Sequence, residues 1–194
     1  MAGNFNIGQN CVRLAVIRYA NTADVTIPLS RYNDINSLRP GIRSLTLLGG
    51  GSNLATALQT LRTQVFARNV VRPGATLVAG ILTDQLTCSS QILSEANYLK
   101  NTMGAVILGV AVTSTRAVDI SCLRRLVSSS QYFEVPSYSL VNNYVSQAAQ
   151  YACVNVVPTP APPPGPVPAP SKYVGTSCMA RHRIVLTIYF DDFG

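Results

Sequence analysis

Charge is scarce in this chain: only 12% of its 194 residues are Asp, Glu, Lys or Arg, against 47% hydrophobic. That balance excludes a disordered polyelectrolyte and suits one sizeable buried core with an appendage. Long runs of one sign are also missing. Fifteen Lys and Arg against eight Asp and Glu give a formal +7, yet Arg124 and Arg125 are the only adjacent basic pair, which gives little support to a nucleic-acid surface. The longest apolar stretch, roughly residues 104–112, is far below the ~20 residues that a membrane-spanning helix needs. Histidine occurs once, at His182, and the five cysteines (Cys11, Cys88, Cys122, Cys153 and Cys178) form no CxxC pair. This weighs against a zinc site and against a Cys/His catalytic pair. No grouping of nucleophile, base and oxyanion donors is present either, so the expectation is a non-enzyme. Residues 1–10 lack the basic start, apolar middle and small-residue cleavage site of a secretory leader, which alone reads as cytosolic. The dispersed cysteines lean the other way, and their odd number leaves at least one thiol unpaired in a monomer.

Residues 12–19 (VRLAVIRY) and 24–29 (DVTIPL) read as a hairpin around an Asn-containing turn. Leu38, Ile42, Leu45 and Leu48 recur at helical spacing, with Pro40 expected in the first turn and Gly49, Gly50 and Gly51 ending the helix. Ser52 or Asn53 can cap a following helix whose Leu54, Leu58, Leu61, Val65 and Phe66 share one face. The runs 75–82 (ATLVAGIL) and 105–112 (AVILGVAV) suit parallel strands covered on both faces. Helices are predicted over about 90–101, 119–127 and 137–152, with a short strand at 131–135. The alternation implies a doubly wound α/β domain with a mainly parallel sheet over 1–153. A proline-rich linker follows at 154–171, extended and unsuited to a core, and then a C-terminal segment at 172–194 that holds a lone strand signal, 183–190 (RIVLTIYF).

Four motifs in order resemble the von Willebrand factor A (vWA) domain. Phe5-Asn6-Ile7-Gly8 with 12–19 looks like the end of that family's helix 1 and its second strand. Gly49-Gly50-Gly51-Ser52-Asn53 is similar to its GGGTNT loop, Ile81-Leu82-Thr83-Asp84 to the strand end that carries TDG, and Ile107-Leu108-Gly109-Val110 to its fifth strand. The resemblance spans about residues 4–153 and implies a Rossmann-like sheet of order 3-2-1-4-5-6.

It also implies a metal-ion-dependent adhesion site at the C-terminal sheet edge, where oxygen ligands hold Mg²⁺, or Mn²⁺ or Ca²⁺. Ser52 stands for the usual Thr and Asp84 for the family Asp, while Gln85 replaces the usual Gly. Gly51, Asn53 and Gln85 would flank the ligand. The family's first strand and DxSxS loop would precede Phe5, so the domain reads as N-terminally truncated and cation binding as weak or absent. The tail supplies a substitute: 183–191 is similar to strand 1 with its metal Asp at Asp191. It is either the opening strand of a second, tandem vWA domain or a permuted strand that inserts between the strands left open.

The implied function is that of a secreted adhesion module binding collagen-like or other matrix proteins, with a homo-oligomer or tandem array as further organisation. The alternative is a metal-independent structural scaffold domain of a matrix. Plainer readings stand beside each residue: Ser52 as a helix N-cap, Asp84 as a loop Asp bonding amides, Cys11 and Cys122 as packed thiols. The glycine run lacks the strand before it and the Gly-Lys-Ser/Thr after it that a phosphate loop requires.

Overall fold

A computed structural model of the chain describes residues 7–8, 12–46, 48–67, 69–113, 116–129, 131–141 and the backbone of 184–190. Two β-branched runs open it as strands β1 (Arg13–Tyr19) and β2 (Ala23–Ile27), paired antiparallel. Helix α1 (Ile35–Arg43) follows, then α2 (Leu54–Thr60), which continues through a π turn, Leu61–Val65. Strand β3 (Thr76–Thr83) leads to α3 (Ser90–Asn97), which continues through a second π turn, Tyr98–Thr102, and β4 (Val106–Val112) leads to α4 (Ile120–Leu126). Strand β5 (Tyr132–Val135), a 3-10 turn at Tyr138–Leu140 and strand β6 (Ile184–Phe190) complete the described elements.

The strands form one sheet of order β2-β1-β6-β3-β4-β5, parallel throughout except for the β1–β2 hairpin. This is the doubly wound α/β arrangement that the alternation implied. The C-terminal strand occupies the place of the family's first strand. On one side Arg13 to Arg18 lie opposite Val185 to Phe190, and on the other Thr76 to Leu82 lie opposite Ile184 to Phe190. Both inner edges of β1 and β3 therefore have a backbone partner.

Alternation in the strands sends side chains to two helical layers. Ala15, Ile17, Tyr19, Ala79, Ile81, Ile107 and Ala111 bury against Leu54, Leu58, Leu61, Ala96, Leu99 and Leu123 of α2, α3 and α4 with their extensions. Leu14, Val16, Val78 and Leu108 meet Leu38 of α1 on the other face. Strands covered on both sides carry continuous apolar runs, which is why β3 and β4 could be read from the sequence. Arg62 reaches from the α2 extension to Glu95 of α3 with two hydrogen bonds of 2.8 and 3.1 Å; this pairing raises the Arg62 pKa.

The first predicted helix differs in detail. Pro40 lies in its second turn, where the missing N–H deprives the Asn36 carbonyl of its helical donor. Asp34 offsets this at the N-terminus by accepting from the amides of Asn36 and Ser37 at 2.9 and 3.0 Å. The helix stops at Arg43 with Ser44 as its cap, ahead of the glycines, so Leu45 and Leu48 lie outside it and Leu48 is exposed. Cys122 is not a packed thiol: it is disulfide-bonded to Cys88. The helix predicted over 137–152 begins at the 3-10 turn and otherwise lies, with the linker, Cys11, Cys153, Cys178 and Asp191, outside the described residues.

Candidate site at the sheet edge

Parallel strands deliver their C-terminal loops to one edge, which is where α/β folds place ligand contacts. The glycine loop reaches that edge because the β1–β2 turn grips it. The Gly51 amide donates to Asn21 Oδ1 at 3.1 Å and the Asn53 amide to the Ala20 carbonyl at 2.7 Å. Gly50 has φ of 111°, in the left-handed region. A Cβ on Gly51 would stand 2.6 Å from Asn21 Oδ1, so a larger residue there would have to push the Asn21 side chain aside.

Ser52 and Asn53 divide the roles that the sequence left open between them. Asn53 caps α2, its Oδ1 accepting from the Thr56 amide at 3.2 Å. Ser52 does not cap: its Oγ donates across the edge to the Gln85 carbonyl at 3.0 Å. Thr83, the fully buried last residue of β3, donates its Oγ1 to the same carbonyl at 2.8 Å. Asp84 sits between them in sequence and is 2% exposed, so it is a buried carboxylate and not an exposed loop residue. Ser52, Asp84, Gln85 and the glycine loop are thus brought to one edge.

Gln85 does more than replace a glycine, because its Oε1 accepts from Arg116 Nη1 at 3.3 Å. Arg116 lies in the β4–α4 connection, and that connection is fastened to the loop after β3. Leu86 donates to the Ala117 carbonyl at 3.2 Å and accepts from the Asp119 amide at 2.9 Å. The Cys88–Cys122 disulfide ties the same loop to α4. Cys88, Cys122 and Asp119 also lie close enough together for a metal, but both sulfurs are committed to the disulfide. Asp119 caps α4 and bonds Ser121 Oγ, which lowers its pKa, helped by the Cys122 amide.

Sequence reasoning missed three participants. Thr83 stood inside a quoted motif without a role, Arg116 belongs to no motif, and the 34-residue separation of Cys88 and Cys122 is not a recognised spacing.

The family model of the von Willebrand factor type A domain matches residues 1–147. The collagen alpha-1(XXI) chain of Xenopus laevis is 28% identical over 162 residues, covering 82% of this chain and 16% of that protein. Matrilin-3 of Gallus gallus is 26% identical over 157 residues, covering 79% and 34%. The chain therefore spans only 16% to 34% of the length of these relatives. Among solved structures, proximal thread matrix protein 1 from the mussel byssus, with a zinc-occupied MIDAS motif, is similar with a TM-score of 0.66. The identity is 16%, over 73% of this chain and 36% of that one. That likeness concerns the fold alone.

Proposed function

The chain belongs to the von Willebrand factor type A domain family, and on that premise we propose that it is a non-enzymatic protein-binding module of an extracellular matrix. Its partners are collagen-like or other matrix proteins, held at the C-terminal edge of the sheet. One observation carries the reading: Ser52 crosses from the glycine loop to the Gln85 carbonyl beside the buried Asp84. A serine that merely capped a helix would have no reason to do so.

The donor set fits a divalent cation in part. Ser52 spends its proton on Gln85 and keeps its oxygen lone pairs, and Asp84 supplies a carboxylate; both are hard oxygen donors of the kind Mg²⁺ takes. Phe190, the last residue of β6, lies opposite Leu82. Strand β6 therefore ends at the same sheet edge at which β3 gives way to Asp84. Ser52, Asp84 and Asp191 would hold the ion, with Gly51, Asn53 and Gln85 around the ligand. A bound cation would supply an open coordination position for a ligand oxygen. With few charged oxygens to offset dehydration, the affinity of such a site is weak.

The same reading makes residues 1–153 the vWA body, 154–171 a proline-rich spacer and β6 a permuted first strand. Secretion accords with the Cys88–Cys122 disulfide, since such bonds persist in oxidising compartments. A second reading, a metal-independent scaffold, is favoured by Gln85, which stands where the family has a bare glycine and is bonded there by Arg116.

Calorimetric titration of the chain with Mg²⁺ and Mn²⁺ separates the two. The adhesion-site reading expects weak, saturable heat that disappears in Asp84→Asn. Absence of saturable heat in the unaltered chain would favour the scaffold.

A further inference from the structure

We infer that Arg116 is a carboxylate-capturing residue at this edge, binding an acidic side chain of a protein partner without help from a divalent cation. The inference rests on the proposed adhesion reading and names the ligand chemistry of that same site.

Among the described residues, the ion pairs are Arg18–Asp24, Arg62–Glu95 and Arg124–Glu134, and Arg116 is in none of them. It spends one of its five N–H donors on the neutral Gln85 amide oxygen. A full positive charge is thus held beside the loop of Asp84 while four donors remain. A guanidinium with such a free fork matches a carboxylate with two parallel hydrogen bonds.

The fork is also held in place. Gln85 precedes Leu86, and Arg116 precedes Ala117; those two neighbours are joined by the 3.2 Å hydrogen bond that ties the loops together. The Leu86–Val118 bridge and the disulfide prolong the same seam. Preorganisation of this kind reduces the entropy lost on binding. Among the described residues, the nearby acidic groups are otherwise engaged or withdrawn: Asp119 caps α4, and Asp84 is buried. Exposed arginines such as Arg39 and Arg43 on α1 have no comparable seam and serve as internal controls.

The test is ¹⁵N–¹H NMR of the arginine Nε–H groups of the full chain in EDTA, titrated with N-acetylglutamate amide. The Arg116 resonance should shift saturably, with the uncharged N-acetylglutamine amide leaving it in place. Binding, followed through the Gln85 side-chain amide resonance in every variant, should weaken at least tenfold in Arg116→Ala and less than twofold in Arg43→Ala, with Arg116→Lys between them. An equal response to the glutamine compound, or equal shifts of Arg39, Arg43 and Arg116, would overturn the inference. If glutamate saturates Arg116 while collagen-coated surfaces retain nothing, the adhesion reading fails and only the carboxylate chemistry of Arg116 is left standing. If collagen binds and is indifferent to Arg116→Ala, adhesion stands and this inference falls.

Discussion

The Ser52 hydroxyl donates to the Gln85 carbonyl over 3.0 Å, joining two loops that lie 33 residues apart. Since Thr83 Oγ1 donates to the same oxygen at 2.8 Å, that carbonyl stays satisfied when either hydroxyl is lost. Ser52→Ala should therefore cost only about 0.5–1.5 kcal/mol of stability, the net worth of one hydrogen bond. It should nonetheless abolish the heat of Mg²⁺ binding. Chemical denaturation alongside calorimetry checks both halves; a loss above ~3 kcal/mol would make Ser52 chiefly structural.

Gly51 and Asn21 form a pair whose energies should not add. A Cβ on Gly51 would come within 2.6 Å of Asn21 Oδ1, and the Gly51 amide bonds that same oxygen. Gly51→Ala should destabilise by about 1–3 kcal/mol, as overpacking does, and Asn21→Ala should relieve part of it. The check is a double-mutant cycle in urea, and strict additivity would contradict the contact.

Strand β6 lies between β1 and β3 and pairs with both. Proline in a central strand removes a ladder donor and is not tolerated there. Thr187→Pro in the full chain should accordingly abolish cooperative thermal unfolding, whereas Pro40, already accommodated in α1, can become alanine without loss. Circular dichroism melts would show this; an intact transition in Thr187→Pro would remove β6 from the sheet.

Much of this architecture was legible in the residues. Buried parallel strands need apolar side chains on both faces, and residues 75–82 and 105–112 show them without interruption. The place of β6 could be inferred because the N-terminal body lacked a central strand and the tail carried one. The end of α1 was not legible, since Leu45 and Leu48 continue a helical spacing that Ser44 interrupts through its backbone. The sequence put Ser52 and Asp84 at one edge but not Arg116. A guanidinium placed by tertiary hydrogen bonds and a disulfide leaves no local pattern.

Asp34 and Asp119 have lowered pKa values, each held down first by a serine hydroxyl, Ser37 and Ser121 respectively, and by backbone amides of the helix they cap. A carboxylate with a folded pKa below its unfolded value near 3.8 stabilises the fold above that value. This contribution is lost as pH falls through 3.8 toward the lower folded pKa. Asp34→Asn and Asp119→Asn keep a capping oxygen and remove the titration. Urea midpoints measured between about pH 5 and pH 3 should fall more gently in the double variant than in the unaltered chain. Parallel slopes would show that these caps do not set the acid response.

The most direct measurement is the affinity of the full chain for immobilised fibrillar collagen by surface plasmon resonance, compared with Asp84→Asn. Asparagine preserves the shape of this buried side chain and removes its charge. The account predicts at least a tenfold loss of affinity, about 1.4 kcal/mol, with a melting temperature within ~4 °C of the unaltered chain. Equal affinity in the two proteins, or a loss of binding that tracks unfolding, would contradict a ligand site at the edge formed by Ser52, Asp84 and Gln85.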